Sequence, residues 1–95
     1  MSAYIIVNVE VKDPERYVDY TKAVGPTLAA YGGRFVVRGG RAERLEGSWE
    51  PKRVVVIEFP DFARAKAWWE SPEYREPKAL RQRISTSDMI VVEGV

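Results

Sequence analysis

Four runs of β-branched residues and two helical stretches alternate in the order β-α-β-β-α-β, which predicts an α+β protein built on one antiparallel sheet. Two further observations support that order. Both helical regions open on a capping residue, Asp13-Pro14 and Asp61, with Ser71-Pro72 repeating the signature. Glycine and proline pairs punctuate the chain at Gly32-Gly33, Gly39-Gly40 and Pro60-Asp61, between runs and not inside them.

The first strand is Tyr4 to Val11, in which Ile5, Ile6, Val7, Val9 and Val11 favour the extended backbone. Asp13 then caps a helix whose first turn holds Pro14 and Glu15, the latter suited to the positive end of the helix dipole. Tyr17, Tyr20, Val24, Leu28 and Tyr31 recur at spacings of three and four and form one apolar stripe. Gly25-Pro26 is expected to kink or interrupt this helix, and Gly32-Gly33 to end it.

Arg34 to Arg38 is the second strand. Residues 41–52 are polar, hold Gly47 and Pro51, and predict a protruding loop or irregular hairpin. Arg53 to Phe59 is the third strand. The next helix is expected over Phe62 to Glu70, with Phe62, Ala65 and Trp69 as its stripe and Trp68 on a flank. A short helical segment with Tyr74 and Leu80 follows, its regularity limited by Pro77, and Thr86 to Glu93 is the last strand. Two right-handed βαβ crossovers intercalate into the ferredoxin-like arrangement: a four-stranded antiparallel sheet with the helices on one face. At 95 residues the chain is expected to be one domain over its whole length.

Composition narrows the chemistry. The chain has no Cys and no His. Disulfides, thiolate nucleophiles and thiolate metal sites are therefore ruled out, along with the commonest general base and metal ligand. No metal site or cofactor is expected. Lys and Arg number 15 against 14 Asp and Glu, so there is no electrostatic case for nucleic acid. No apolar run approaches the ~20 residues of a membrane span. The opening residues lack a signal peptide's charged region and cleavage site. A cytoplasmic protein is the expectation.

Alternation assigns the strand faces. Ile5, Val7, Val9, Val11, Phe35, Val37, Val55, Ile57, Phe59, Met89 and Val91 are expected under the helices. The opposite face would then carry Ile6, Val36, Val54, Val56, Ile90 and Val92 together with Asn8, Arg38, Glu58 and Asp88. A face open to water would alternate to polar more cleanly, and an apolar patch of this kind marks an interface. With no spare helix to cover it, a second copy of the chain is the simplest cover, giving a homodimer with sheets face to face.

The polar groups on that face have two readings. Arg38 could pair with Glu58 or Asp88 in a structural network that fixes dimer geometry, since a buried charge needs a partner. Alternatively, Asn8, Arg38, Glu58 and Asp88 could line a cavity for a small organic molecule, with Arg38 holding a carboxylate. Trp68 is a candidate wall of such a pocket and Tyr17 and Tyr20 are candidate contacts, although all three are also natural core residues.

The sequence also resembles a known family. The residues that carry the resemblance are Asp13-Pro14-Glu15-Arg16-Tyr17 with Tyr20, the run from Gly32 to Gly40, Leu45-Glu46-Gly47 with Trp49, and Arg53 to Pro60. Ala65-Lys66-Ala67-Trp68 and Ser71-Pro72-Glu73-Tyr74 complete it. Together they are similar to the uncharacterised domain of unknown function 1330 family, within the dimeric α+β-barrel superfamily. The resemblance covers nearly the whole chain. It implies a ferredoxin-like subunit whose sheets form a barrel across a homodimer, and it implies no activity. Relatives in the wider superfamily include cofactor-independent monooxygenases and small-molecule isomerases, and Asn8 and Trp68 are similar in type and placement to residues of the monooxygenase branch. Haem-binding members generally rely on a histidine, which this chain lacks. The functional expectation is a small-molecule binder. The alternatives are a cofactor-independent monooxygenase or isomerase, or a non-catalytic interaction module.

Overall fold

The computed structural model describes residues 1–95. Its elements are β1 (Ala3–Val11), α1 (Pro14–Ala29), β2 (Arg34–Arg38), β3 (Arg53–Phe59), α2 (Phe62–Trp69), α3 (Pro72–Ile84) and β4 (Ser85–Glu93). The strands form one antiparallel sheet in the order β2-β3-β1-β4, the ferredoxin-like topology. All three helices lie on one face, so the molecule is a slab 33 × 32 × 17 Å in extent.

Each helix starts where its sequence caps it. Asp13, Asp61 and Ser71 each accept a hydrogen bond from the backbone N–H three residues on. Two expectations about helix interiors fail for one reason. α1 runs unbroken through Gly25-Pro26, and α3 extends to Ile84 through Pro77. Each proline removes one backbone hydrogen bond, but Val24, Thr27 and Leu28 in α1, and Tyr74, Arg81 and Ile84 in α3, are all buried. Packing of the buried stripe outweighs the lost bond.

The core lies between the helices and the sheet. Ile5, Val7, Val9, Val55, Ile57 and Phe59 face it as alternation predicts, and Tyr17, Tyr20, Val24 and Leu28 close it from α1. The phase of α2 differs from expectation by one residue. Ala65 and Trp68 are fully buried, whereas Trp69 is 38% exposed and Phe62 37%. A buried indole needs an acceptor for its N–H. α1 supplies one to Trp68 through Thr27 Oγ1 at 2.9 Å. Trp68 also stacks on Tyr74 with centroids 4.0 Å apart. Trp69 instead lies under the Lys78 ammonium, 3.8 Å from its ring centroid.

The second correction concerns β2. The register pairs Arg34 with Glu58 and Phe35 with Ile57, then shifts, so that Val37 faces Val56 and Arg38 faces Val55. Val36 is the extra residue of a β-bulge, and a one-residue insertion turns every later side chain to the other face. Arg38 therefore lies on the helix side, not beside Asn8, Glu58 and Asp88, and Val37 takes its place on the open face.

Candidate functional site

The open face carries the expected apolar band, rearranged by the bulge. Val37, Val56, Ile6 and Ile90 are direct partners across β2, β3, β1 and β4, so one apolar row crosses the whole sheet. Ile90 is 59% exposed. Val92, Val37 and Val36 are also exposed, and Ile6, Val54 and Val56 are half-buried by their neighbours alone.

The polar residues of this face do not converge. Glu58 pairs with Arg34, with Nε at 2.8 Å and Nη2 at 2.5 Å, and accepts a bond from the Tyr4 hydroxyl at 3.3 Å. Hydrogen bonds from Ser2 and from Arg34 hold its carboxyl below the usual carboxylate range. Asn8 clasps the 41–52 loop: its amide donates to Glu50 O at 3.3 Å and its carbonyl accepts from Lys52 N at 2.7 Å. Asp88 is exposed and lies opposite Asn8 in register, with no ion pair. The expected pairing of Arg38 with Glu58 or Asp88 is absent, because Arg38 is on the other side of the sheet.

The convergence of polar groups lies between the sheet and the helices. β2 brings Arg38 there, β3 brings Arg53, and the last turn of α3 brings Arg81. They surround a cavity of about 20 Å³ that Tyr17, Tyr20 and Thr21 of α1 also line. No Asp or Glu lines it, and none of the three arginines forms an ion pair.

Each guanidinium is held by uncharged partners. Arg81 is only 4% exposed; its Nε donates to the Tyr74 hydroxyl at 3.2 Å and its Nη1 to Ser87 Oγ at 2.5 Å. The Tyr74 and Tyr20 hydroxyls lie 2.8 Å apart, extending a chain from Arg81 to α1. Burial, with the neighbouring Tyr74 second, pushes the Tyr20 hydroxyl far above the ordinary tyrosine range, so it stays protonated.

Arg53 lies over the Tyr17 ring, 5.5 Å from its centroid, and its Nε is buried with no hydrogen-bond partner. Gly39 makes room for it. Its φ of +70° lies in the left-handed region, and a Cβ there would collide with the Arg53 guanidinium. Arg38 is exposed, stacks 4.2 Å from the Phe35 ring centroid, and donates from Nη2 to Thr21 O at 3.2 Å. It thus bridges the gap between edge strand β2 and α1.

Of the sequence candidates, Tyr17, Tyr20, Arg38 and Trp68 line this cavity, while Asn8, Glu58 and Asp88 lie on the far side of the sheet. Arg53 and Arg81 escaped sequence reasoning. Arg53 has a signal in hindsight, since it begins the third strand in phase with Val55 and Ile57. Arg81 has only its position one turn before Ile84 in a helix expected to be short. A larger cleft of about 220 Å³ at the β4 edge, beside Trp69 and Ile90, is mainly apolar, with Lys66 and Glu70 as its charged lining residues.

The family model for the domain of unknown function DUF1330 matches residues 2–95, so the chain belongs to that family. Among curated proteins, none matches the sequence. Several solved structures share the fold. RPA0582 from Rhodopseudomonas palustris, a protein of unknown function, is 22% identical, with a TM-score of 0.78, over 99% of this chain and 82% of that one. SnoaB from Streptomyces nogalater, a cofactor-independent oxygenase, is 16% identical, with a TM-score of 0.68, over 99% of this chain and 93% of that one. An uncharacterised NIPSNAP domain protein from Burkholderia xenovorans is 14% identical, with a TM-score of 0.54, over 100% of this chain and 95% of that one. No helix is long and apolar enough to cross a membrane.

Proposed function

We propose that this member of the DUF1330 family is a cytoplasmic homodimer, joined through its open sheet faces, that binds a small organic molecule between α1, α3 and the sheet. One observation carries the ligand reading. A small two-layer protein places Arg38, Arg53 and Arg81 with three tyrosines where apolar side chains would pack at least as well. A cation as buried as Arg81, or half-buried as Arg53, is costly without a counter-charge, and a binding site is a reason to keep it.

The dimer reading rests on the apolar row Val37-Val56-Ile6-Ile90, left uncovered by a chain whose helices all lie on the other side. A face 33 × 32 Å across has room for the ~800 Å² per partner of a standard interface. Sedimentation velocity tests it: the chain sediments as a dimer and Ile90→Asp shifts it to monomer. A monomeric wild type overturns it. The ligand reading is tested by thermal shift against a panel of small organic acids, alcohols and amides. At least one compound raises the melting temperature, and Arg38→Ala removes that rise while Arg64→Ala does not. Equal and negligible effects of the two variants count against it.

A second reading is a cofactor-independent oxygenase. It is favoured by the hydrogen-bonded chain from Arg81 through Tyr74 to Tyr20 and by the fold likeness to SnoaB. In such chemistry the substrate itself supplies electrons to dioxygen, and an arginine would hold its enolate or phenolate. Oxygen uptake with a phenol panel, lost in Arg81→Met, supports this reading. No uptake above the rate without protein leaves the binder.

A further inference from the structure

We infer that the molecule bound beside α1 carries an anionic group, a carboxylate, held between Arg53 and Arg81 and admitted past Arg38. The inference rests on the ligand reading above and specifies its chemistry.

Charge balance is the first argument. Three guanidinium groups line one cavity, and none has a carboxylate partner. The chain does not lack carboxylates: Glu10, Glu50 and Glu58 all pair with other cations, at the surface or on the open face. Unlike the unpaired cations of the surface, Arg81 is buried and Arg53 half-buried, so their excess positive charge is one that a bound anion neutralises at short range in a medium of reduced dielectric constant.

Unused donors are the second argument. Arg53 Nε is buried with its N–H unsatisfied, a rare condition that calls for a partner. Arg81, 4% exposed, spends two donors on hydroxyls, which are weaker acceptors than a carboxylate. Tyr20 is held protonated, so its hydroxyl does not compete as a phenolate.

Access is the third argument. The cavity holds about 20 Å³, room for roughly one water, so an organic acid enters only if a wall moves. Arg81, on the buried face of α3, is locked by its bonds to Tyr74 and Ser87. Arg38 is exposed and tied to α1 by one hydrogen bond of 3.2 Å to Thr21 O. Swinging it outward opens the gap between β2 and α1, and swinging it back over a bound anion adds a third cation. The apolar remainder of such a ligand meets Tyr17, Phe35 and Val55, which favours an aryl or short alkyl acid.

Isothermal titration of the full chain with benzoate, phenylacetate and hexanoate, each paired with its neutral primary amide, tests this. At least one acid binds at one site per chain, and its amide binds about tenfold more weakly or worse, the loss expected for charge-assisted hydrogen bonds. Arg38→Met, at an exposed position that leaves the core intact, weakens that acid about tenfold as well, and Arg64→Met does not. If an amide binds as well as its acid, the anion assignment falls while the ligand reading stands. If neither the acids nor their amides bind, both fall. If Arg38→Met binds like the wild type, the gate falls.

Discussion

The two ends of the space between sheet and helices are built on opposite principles. Around Phe59, Leu28 and Ala65 the packing is apolar, and Trp68, which stands between the two ends against Phe59 and Tyr74, has its indole nitrogen satisfied by Thr27. Around Arg53 and Arg81 the walls are cationic and hydroxylic, an Nε is left without a partner, and a small cavity remains. Both ends are enclosed by the same sheet and by α1, so the fold does not force the difference. The apolar end supplies stability. The basic end gives up some stability, the trade expected of the binding site proposed there.

Substitutions can break this contrast, beginning with the largest effect. Trp68→Ala removes the largest fully buried side chain together with its stacking on Tyr74, and is expected to cost ~3–5 kcal/mol of unfolding free energy by denaturant titration. Tyr20→Phe leaves Tyr74 short of one hydroxyl partner and should cost ~1 kcal/mol at neutral pH.

The pH dependence of the same residue follows from linkage. The Tyr20 hydroxyl is raised in the folded state above its ordinary value of 10.0, so the native protein holds that proton more tightly. Its contribution is complete below pH 10 and is lost as pH rises above it. Wild-type stability should therefore fall more steeply above pH 10 than that of Tyr20→Phe, as measured by denaturant midpoints across that range. Parallel profiles would contradict the burial of that hydroxyl.

Arg53→Met is the sharper probe, because it is expected to act in the reverse direction. Replacing a charge whose Nε is unsatisfied by an apolar side chain should leave stability unchanged or raise it by ~1 kcal/mol, while acid binding is lost. A large loss of stability would mean that the arginine is structural. The smallest effect is expected at Trp69, whose ring is partly exposed; Trp69→Ala should cost no more than ~1 kcal/mol, well below its neighbour.

That last pair also shows where sequence reading reached its limit. Strand order, helix starts and the core face of β1 and β3 were legible, because period-two alternation and capping are local signals. The choice between Trp68 and Trp69 was not, since it depends on whether α1 offers an acceptor, a fact of tertiary packing. The face of Arg38 was also hidden. The bulge at Val36 lies in a run, Phe35-Val36-Val37, with no residue that marks an irregularity, and one inserted position moved the principal candidate from one side of the sheet to the other. The candidate site was thus legible in its residue types and partly in its members, Tyr17, Tyr20, Arg38 and Trp68. Its location was not legible, and neither were Arg53 and Arg81.

The claim that the basic end is an anion site is tested most directly by observing its arginines. In ¹H–¹⁵N spectra of arginine-labelled protein, titration with the tightest-binding carboxylate should shift the Nε–Hε signals of Arg53 and Arg81 along one saturable curve, while those of Arg64 and Arg75 stay in place. Shifts shared by all the arginines, or none at Arg53 and Arg81, would contradict the account.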